Sequence, residues 1–210
     1  MINITKYSSK NMDVNTYILA KENQAIVIDP GFNGEDVIKH ISNFNLKINM
    51  VILTHGHFDH IRDLKLLLER QKFIVVIHEE DFSFLYDPNL NLSSIFQQDF
   101  ILDKTVEVRK VKDGEAIECL KEKFKIIHLP GHTKGSMGII YNQHFFSGDT
   151  LFYDSIGRVD LPTGNNGKMH QSLKKILTSI SKHSVVYPGH GRGGQMSDII
   201  AHNQYLINLR

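Results

Sequence analysis

The chain has 210 residues, with 24 basic and 23 acidic side chains, a formal charge of +1, and 12 histidines against a single cysteine. The balanced charge argues against a nucleic-acid groove built from excess lysine and arginine, and the lone Cys119 excludes an intramolecular disulfide framework. Hydrophobic residues make up 41% of the chain, and no apolar run reaches the roughly 20 residues that cross a bilayer. Disorder and a membrane span are therefore excluded, and one domain over residues 1–210 is expected.

The first third of the chain predicts short β-strands that alternate with helices. Apolar and β-branched runs predict strands over residues 14–19, 25–28, 50–53 and 73–77. Asn33 is placed to cap a helix whose apolar face carries Val37, Ile38, Ile41 and Phe44. A second helix is predicted to begin at Ile61, with Leu64, Leu67 and Leu68 at helical spacing.

The second half of the chain continues this alternation less regularly. Strands are predicted over residues 124–129, 137–141, 144–147 and 185–187, and helices over residues 169–180 and 196–209. Residues 79–105 carry the weakest pattern, for which we predict two short helices, and Cys119 is expected at a strand edge. Alternating strands and helices predict an α/β or mixed layered fold.

The most specific pattern is Thr54-His55-Gly56-His57-Phe58-Asp59-His60, which lies between a predicted strand and a predicted helix. In extended backbone, residues two apart point the same way, so His55 and His57 can converge on one metal ion. Asp59 and His60 fall where the chain turns into the helix, and they project toward a second ion. Histidine is the commonest metal ligand, so this density of ligand-type residues indicates a metal site.

Three later strands each end in a glycine beside a residue of the metal-ligand type. These pairs are Gly131-His132, Gly148-Asp149 and Gly189-His190. Alone, each pair is typical of a turn. Together with the first motif, they supply the imidazoles and carboxylates that two divalent ions about 3.5–4 Å apart require.

These motifs, in this order and approximate spacing, resemble those of the metallo-β-lactamase fold superfamily, and most closely its glyoxalase II-like hydrolases. The first motif matches the superfamily's H-x-H-x-D-H pattern, and the resemblance runs from Asp29 to His190. It implies a four-layer αββα sandwich with the site between the edges of two sheets. It also implies one ion on His55, His57 and His132, and the other on Asp59, His60 and His190. Asp149 would bridge the two ions, and Asp29 would support the loop of the first site.

The resemblance implies a hydrolase with two divalent ions, zinc first, with iron and manganese as alternatives. Two such ions contribute +4, and Asp59 and Asp149 contribute −2, so a bridging hydroxide leaves a site of about +1. Such a site generates the nucleophilic hydroxide near neutral pH and attracts an anionic intermediate. Asp59 and Asp149 are therefore the residues assigned to the reaction, and no serine or cysteine nucleophile is needed.

Arg158 is the candidate substrate-binding residue. The stretch that follows Asp149 resembles the same loop of short glyoxalase II-like enzymes, in which a basic residue receives a carboxylate of glutathione. A guanidinium suits a carboxylate by bidentate pairing; alternatively, Arg158 pairs with Asp160 and only orders the loop. The chain departs from glyoxalase II in ending without a C-terminal helical extension, and in having Ile61-Arg62-Asp63 where small residues are usual.

More than one function fits the sequence. The leading hypothesis is a thioester hydrolase that cleaves small S-acyl thiols such as S-lactoylglutathione. The alternative is a persulfide dioxygenase of the same fold, with one Fe(II) on His55, His132 and Asp149. A β-lactamase is less favoured because of the loop around Arg158, and because residues 1–10 lack the apolar run of a secretion signal, which predicts a cytoplasmic protein. A nuclease is disfavoured by the balanced charge, and the oligomeric state is left open.

Overall fold

Twelve strands form two six-stranded mixed sheets in the computed structural model, which describes residues 1–10 and 12–209. In the first sheet, neighbouring strands follow chain order: β1 (Asn3–Ser8), β2 (Asn15–Lys21), β3 (Gln24–Ile28), β4 (Lys47–Ile52), β5 (Ile74–His78) and β6 (Val108–Val111). The pairs β1–β2 and β2–β3 are antiparallel, whereas β3 to β6 run parallel. Parallel strands need long connections, and the helices of this half supply them.

The second sheet has the spatial order β12-β11-β10-β9-β8-β7. Its strands are β7 (Ala116–Cys119), β8 (Glu122–His128), β9 (Met137–Tyr141), β10 (His144–Gly148), β11 (Val185–Pro188) and β12 (Gly194–Gln195). The pair β10–β11 is parallel and the other pairs are antiparallel. Cys119 ends the edge strand β7, as the sequence predicted.

Three apolar layers hold the sheets and helices together. The helices are α1 (Gly34–Asn43), α2 (Phe58–Ile61), α3 (Leu64–Leu68), α4 (Asn166–Ser179), α5 (Met196–His202) and α6 (Gln204–Ile207). The middle layer joins the facing sides of the two sheets and includes Tyr17, Phe124 and Phe146, each at most 2% exposed. The outer layers join α1 to α3 to the first sheet and α4 to α6 to the second. The predicted αββα sandwich is therefore confirmed.

Local details differ from the sequence prediction at several helix ends. Asn33 precedes α1, but its side chain donates to Val14 O and Thr16 Oγ1, and the acceptor at the start of α1 is Asp63 Oδ2, 2.8 Å from Gly34 N. The helix expected from Ile61 begins three residues earlier, and the chain between α2 and α3 is not helical.

The last predicted helix is divided in two. Asn203 ends α5 and its side chain accepts hydrogen bonds from Tyr205 N and Leu206 N, which caps α6. The poorly patterned stretch after β5 holds two 3₁₀ helices, Glu79–Tyr86 and Ser93–Phe96. No helix of the described ranges, 1–10 and 12–209, has the length and apolar character that crossing a membrane requires.

The direction of the strands determines which of their ends lie at the same edge of the sandwich. β3 and β4 of the first sheet are parallel, so they end at the same edge. In the second sheet, β10 and β11 are parallel. The strand β9 is antiparallel to both β8 and β10, so β8 runs in the same direction as β10 and β11. The segments that follow these five strands meet at one edge of the sandwich.

Candidate metal centre

All seven ligand-type residues of the sequence prediction gather at this edge. They are His55 and His57 after β4, Asp59 and His60 in α2, His132 after β8, Asp149 after β10, and His190 after β11. They form three overlapping groups, in each of which the potential ligand atoms lie within 4.8 Å of one another. The groups are His55–His57–His132, His55–His60–Asp149 and Asp59–His60–His190.

The first set consists of three buried imidazoles. His55, His57 and His132 are at most 3% exposed, and His57 Nδ1 lies 2.9 Å from His132 Nε2. His132 Nδ1 lies 2.8 Å from the carbonyl oxygen of Arg158, to which its N–H can donate, so Nε2 is the nitrogen free to bind an ion. The backbone of Arg158 therefore orients this imidazole.

The second set contains one carboxylate and two imidazoles. His190 Nε2 lies 3.3 Å from Asp59 Oδ2 and 3.3 Å from His60 Nε2. The other ring nitrogen of each histidine has an acceptor of its own: His60 Nδ1 is 3.0 Å from Asp29 Oδ2, and His190 Nδ1 is 2.9 Å from Met12 O. Both Nε2 atoms are thereby turned toward the site.

Asp149 lies between the two sets. Its Oδ2 is 3.5 Å from His132 Nε2 and 3.4 Å from His190 Nε2, and its Oδ1 is 3.4 Å from His60 Nε2. Two ligands that each sit about 2.0–2.2 Å from one tetrahedral ion are roughly 3.3–3.6 Å apart. The separations around Asp149 therefore match ligands shared by two ions.

Glycine is required where the strand ends approach each other. Gly148 has φ +51, and a Cβ there would lie 2.6 Å from Thr54 Oγ1. A Cβ on Gly189 would lie 2.0 Å from Asp149 Oδ1. A side chain at Gly148 would collide with Thr54 in the loop after β4, and one at Gly189 would enter the site, which explains the glycines at these two strand ends.

Asp29 holds the loop between β4 and α2. Its Oδ1 accepts from Thr54 N at 2.7 Å, and its Oδ2 accepts from the Thr54 hydroxyl at 2.6 Å. The same Oδ2 is the acceptor that faces His60 Nδ1. Asp29 thus holds the loop that carries His55 and His57, and it also contacts His60 of the second set.

The two sets differ in charge. Burial lowers the pKa of His57 to about 3, and burial, with His60 and His132 adding to it, holds the pKa of His55 well below its usual value. These imidazoles are therefore neutral near pH 7, the form that binds metals. In the second set, burial lowers the pKa of His190, but Asp149 and Asp59 outweigh it and raise the pKa to about 10.

His60 and Asp149 show the same balance. Burial lowers the pKa of His60, yet Asp149, Asp59 and Asp29 raise it well above the usual value. Burial raises the pKa of Asp149, but the neighbouring His60 and His190 hold it well below. The carboxylates therefore favour positive charge between the sets, and metal cations can supply that charge in place of protons.

Orphaned polar atoms also fit metal ions. Of the four buried side-chain nitrogen or oxygen atoms without a hydrogen-bond partner in the described ranges, three lie here: His55 Nε2, His57 Nε2 and Asp149 Oδ1. Leaving such atoms unsatisfied costs about 1–3 kcal/mol each. Five imidazoles and two carboxylates form a donor set that suits borderline divalent cations such as zinc or iron.

Arg158 lies beside the first set, but its guanidinium is engaged. It forms a bidentate pair with Asp160, with Nε to Oδ1 at 2.8 Å and Nη2 to Oδ2 at 2.7 Å. Both side chains are more than half exposed. The loop-ordering pair considered from the sequence is thus present, and a substrate carboxylate would have to displace Asp160.

Sequence reasoning missed two supports of the site. Asp81, in the 3₁₀ helix Glu79–Tyr86, accepts hydrogen bonds from Gly56 N and from the Thr133 hydroxyl. Burial raises its pKa to about 6, although these hydrogen bonds oppose the shift. The stretch around Asp81 carries no motif that could have identified it.

The second missed support is the turn between β1 and β2. Met12 O lies in this turn, and Asn15, the first residue of β2 after it, has an Nδ2 that donates to Pro188 O at 3.0 Å and to Gly191 O at 2.9 Å. These contacts fix the loop that carries His190. The sequence could not predict these hydrogen bonds, because the residues that form them are far apart in the chain.

Comparisons with known proteins agree with this geometry. The Metallo-beta-lactamase superfamily matches residues 10–190. A probable metallo-hydrolase of Streptococcus pyogenes is 33% identical over 184 residues, which cover 84% of this chain and 78% of that protein. The hydroxyacylglutathione hydrolase GloC of Haemophilus influenzae is 32% identical, and the alignment covers 81% of each chain.

Solved structures show the same fold. A B3 metallo-β-lactamase superposes with a TM-score of 0.89 at 28% identity, covering 97% of this chain and 99% of that one. A protein crystallised in a di-iron-bound form gives a TM-score of 0.84 at 27% identity, covering 96% and 100%. The matched span contains every ligand-type residue at the sandwich edge, from His55 to His190. The chain therefore belongs to the metallo-β-lactamase superfamily of metal-dependent hydrolases.

Proposed function

We propose that the protein is a dinuclear metal-dependent thioesterase that cleaves S-acyl thiols such as S-lactoylglutathione. The observation that carries the two-ion part is Asp149, which lies within 3.5 Å of histidines from both sets. The thioester part is supported by the likeness to a hydroxyacylglutathione hydrolase and by Arg158 after Asp149. Zinc is the first choice of ion, with iron or manganese as alternatives.

When bound, a pair of divalent ions supplies the acidity that makes water a nucleophile near neutral pH and the positive charge that stabilises an oxyanion. The protein's part is to present the donors in a fixed geometry. His60, His132 and His190 each have one ring nitrogen held by a carboxylate or a carbonyl. These contacts fix the orientation of the imidazole rings, so that the other ring nitrogen of each faces the site and the donors are preorganised.

The exposure of the ligands indicates the side from which a substrate approaches. The side chains of His190 and Asp59 are 23% and 17% exposed, whereas those of His60 and His132 are at most 4% exposed. We therefore infer that the thioester carbonyl reaches the site past the second set. The first set and Asp149 form the closed floor, where water is excluded and electrostatic interactions are stronger.

Arg158 is the proposed anchor for a carboxylate of the thiol moiety. Both side chains of its pair with Asp160 are solvent-exposed, and such a surface pair contributes little because water screens the charges. A substrate carboxylate can therefore replace Asp160 on the guanidinium at little cost. The proposal includes a small-molecule substrate and no nucleic-acid or membrane partner. It also places the protein in the cytoplasm, where disulfides are rare, because a single cysteine cannot form an intramolecular disulfide.

The test combines metal analysis with hydrolysis assays. Purified protein should hold two divalent ions per chain and should hydrolyse S-lactoylglutathione. The Asp149→Ala variant should lose both the second ion and the activity, while Asp103→Asn, a change at an exposed loop carboxylate, should keep both. Full turnover by Asp149→Ala would contradict the proposed role of this carboxylate.

The same experiment separates the competing functions. A persulfide dioxygenase would hold one iron on His55, His132 and Asp149, and it would consume oxygen with a persulfide substrate; that result would replace the hydrolase proposal. A β-lactam should be assayed in parallel, because one similar structure is a B3 metallo-β-lactamase. Faster hydrolysis of the β-lactam than of any thioester would overturn the proposed substrate class.

A further inference from the structure

Asp81 is a buried carboxylate that the proposed reaction does not use. It follows β5 in the 3₁₀ helix Glu79–Tyr86 and is 0% exposed. Its Oδ2 accepts hydrogen bonds from Gly56 N at 3.1 Å and from the Thr133 hydroxyl at 2.6 Å, and its Oδ1 accepts from Gly135 N at 2.7 Å. In all three bonds Asp81 is the acceptor, a pattern that suits an ionised carboxylate.

These hydrogen bonds join the two loops that carry the first set of ligands. Gly56 lies between His55 and His57, in the loop that leaves β4 of the first sheet. Thr133 follows His132, in the loop that leaves β8 of the second sheet. The carboxylate therefore bridges the two sheets at the point where their imidazoles must converge.

Both loops also pack closely against the segment that carries Asp81. A Cβ on Gly135 would lie 2.5 Å from Asp81 N, and a Cβ on Gly56 would lie 2.3 Å from the Cβ of Phe84 in the same 3₁₀ helix. Because this packing is already close, we expect loss of the hydrogen bonds to let the loops separate.

Asp29 provides the counterpart on the other side of the site. It accepts from Thr54 and faces His60 Nδ1 directly, so it acts on a ligand of the second set. Asp81 contacts no imidazole and acts through the backbone of Gly56 and the side chain of Thr133. Asp29 therefore touches both sets, through Thr54 and through His60, whereas the hydrogen bonds of Asp81 reach only the two loops of the first set.

We propose that Asp81 is a positioning residue that sets the affinity of the first metal position, on His55, His57 and His132, without setting that of the second. The inference rests on the two-ion site of the proposed function and is independent of its substrate. Metal affinity responds to the orientation of the ligands, and the loss of a group that orients them typically costs 10–100-fold.

The decisive experiment measures zinc affinity in proteins with one complete set. In a His190→Ala background, only the first set keeps all its imidazoles. Adding Asp81→Asn replaces one carboxylate oxygen by an NH₂ group, which then faces an N–H or O–H donor of the loops. The zinc affinity, measured by competition with a chromophoric chelator, should fall about 10–100-fold. In a His57→Ala background, the same substitution should change the affinity by no more than about threefold.

Asp103→Asn is the matched control. It makes the same chemical change at an exposed carboxylate that accepts two hydrogen bonds from Thr105, and it should leave zinc affinity unchanged in both backgrounds. Equal losses of affinity for Asp81→Asn in the two backgrounds would reveal only a general structural role and would overturn the proposal. An unchanged affinity in the His190→Ala background would overturn it as well.

Thr133→Val serves if Asp81→Asn does not fold. Valine keeps the shape of the threonine side chain and removes only the hydroxyl that donates to Asp81, so the same selective loss should appear at a smaller size. Zinc binding is measured without substrate. A wild-type protein that binds two ions but hydrolyses no thioester would refute the proposed substrate and leave the assignment of Asp81 standing.

Discussion

Replacing Asn15 by alanine should destabilise the protein and loosen the second set of ligands. The side chain is 0% exposed and makes three hydrogen bonds: to Pro188 O, to Gly191 O, and from the Ser8 hydroxyl at 2.6 Å. Each such bond contributes about 0.5–1.5 kcal/mol net, so the upper limit of the loss is roughly 4.5 kcal/mol.

Other donors reduce that loss. Pro188 O also accepts from the Tyr17 hydroxyl at 2.6 Å, and Gly191 O also accepts from Lys6 Nζ at 3.1 Å. Neither carbonyl is left without a partner, so we expect a decrease in the free energy of unfolding of about 2–3 kcal/mol. For a chain of this length, that corresponds to a melting temperature lower by roughly 4–12 °C.

The assay is urea unfolding of chelator-treated protein, followed by zinc titration. Tyr17→Phe is the matched comparison, because it removes one hydrogen bond to the same carbonyl and should cost only about 1 kcal/mol. Because His190 Nδ1 is held by Met12 O in the turn that precedes Asn15, Asn15→Ala should also weaken zinc binding to the second set. A change in unfolding free energy below about 0.5 kcal/mol, with normal zinc binding, would refute this account of the turn.

Three further predictions follow from single contacts. Asp63→Ala removes the acceptor that faces Gly34 N at the start of α1, and urea unfolding should report a loss of about 1–2 kcal/mol; unchanged stability would show that α1 needs no such acceptor. The pKa of His190 is raised to about 10 in the folded protein. Protonated His190 therefore stabilises the metal-free protein fully below the pKa of an unfolded histidine, roughly 6.5, and this stabilisation is lost as the pH rises through 10. Unfolding free energies should therefore fall over that range, and His190→Ala should flatten the profile; equal slopes would contradict this. Arg158→Ala should raise KM for S-lactoylglutathione with little change in kcat, whereas Asp160→Ala should lower KM or leave it unchanged; a KM raised equally by both would mean that the pair only orders the loop.

The positions of the ligand-type residues could be predicted from the sequence because five of the seven closely follow a strand, and Asp59 and His60 come shortly after His57. A short apolar run and a glycine mark the end of β10 before Asp149 and the end of β11 before His190. Both features are local, and local patterns are readable without a structure. The family resemblance then ordered these strand ends into two sheets, and the fold confirmed that order.

Elements without such a pattern were missed. β1 (Asn3–Ser8) is mostly polar and lies at the edge of its sheet, so its pairing with β2 and not its hydrophobicity makes it a strand. The helix predicted from Ile61 begins at Phe58. Its first residues were missed because Asp59 and His60 are polar, although they face a buried site. Polarity usually predicts exposure, and a buried metal site reverses that relation.

The contacts that support the ligand-type residues lay beyond local sequence patterns for a different reason, although the family resemblance did imply a supporting role for Asp29. Asp29 and Thr54 are 25 positions apart, Asp81 and Thr133 are 52 apart, and Asn15 and Pro188 are 173 apart. No local periodicity can report a hydrogen bond across such distances. What these residues share is burial together with several hydrogen bonds to loops, a combination that costs stability unless every group is satisfied. Buried polar side chains that join loops from different sheets are therefore where the control of this metal site is to be sought, and Asp81 is the example for which neither motif nor spacing gave a signal.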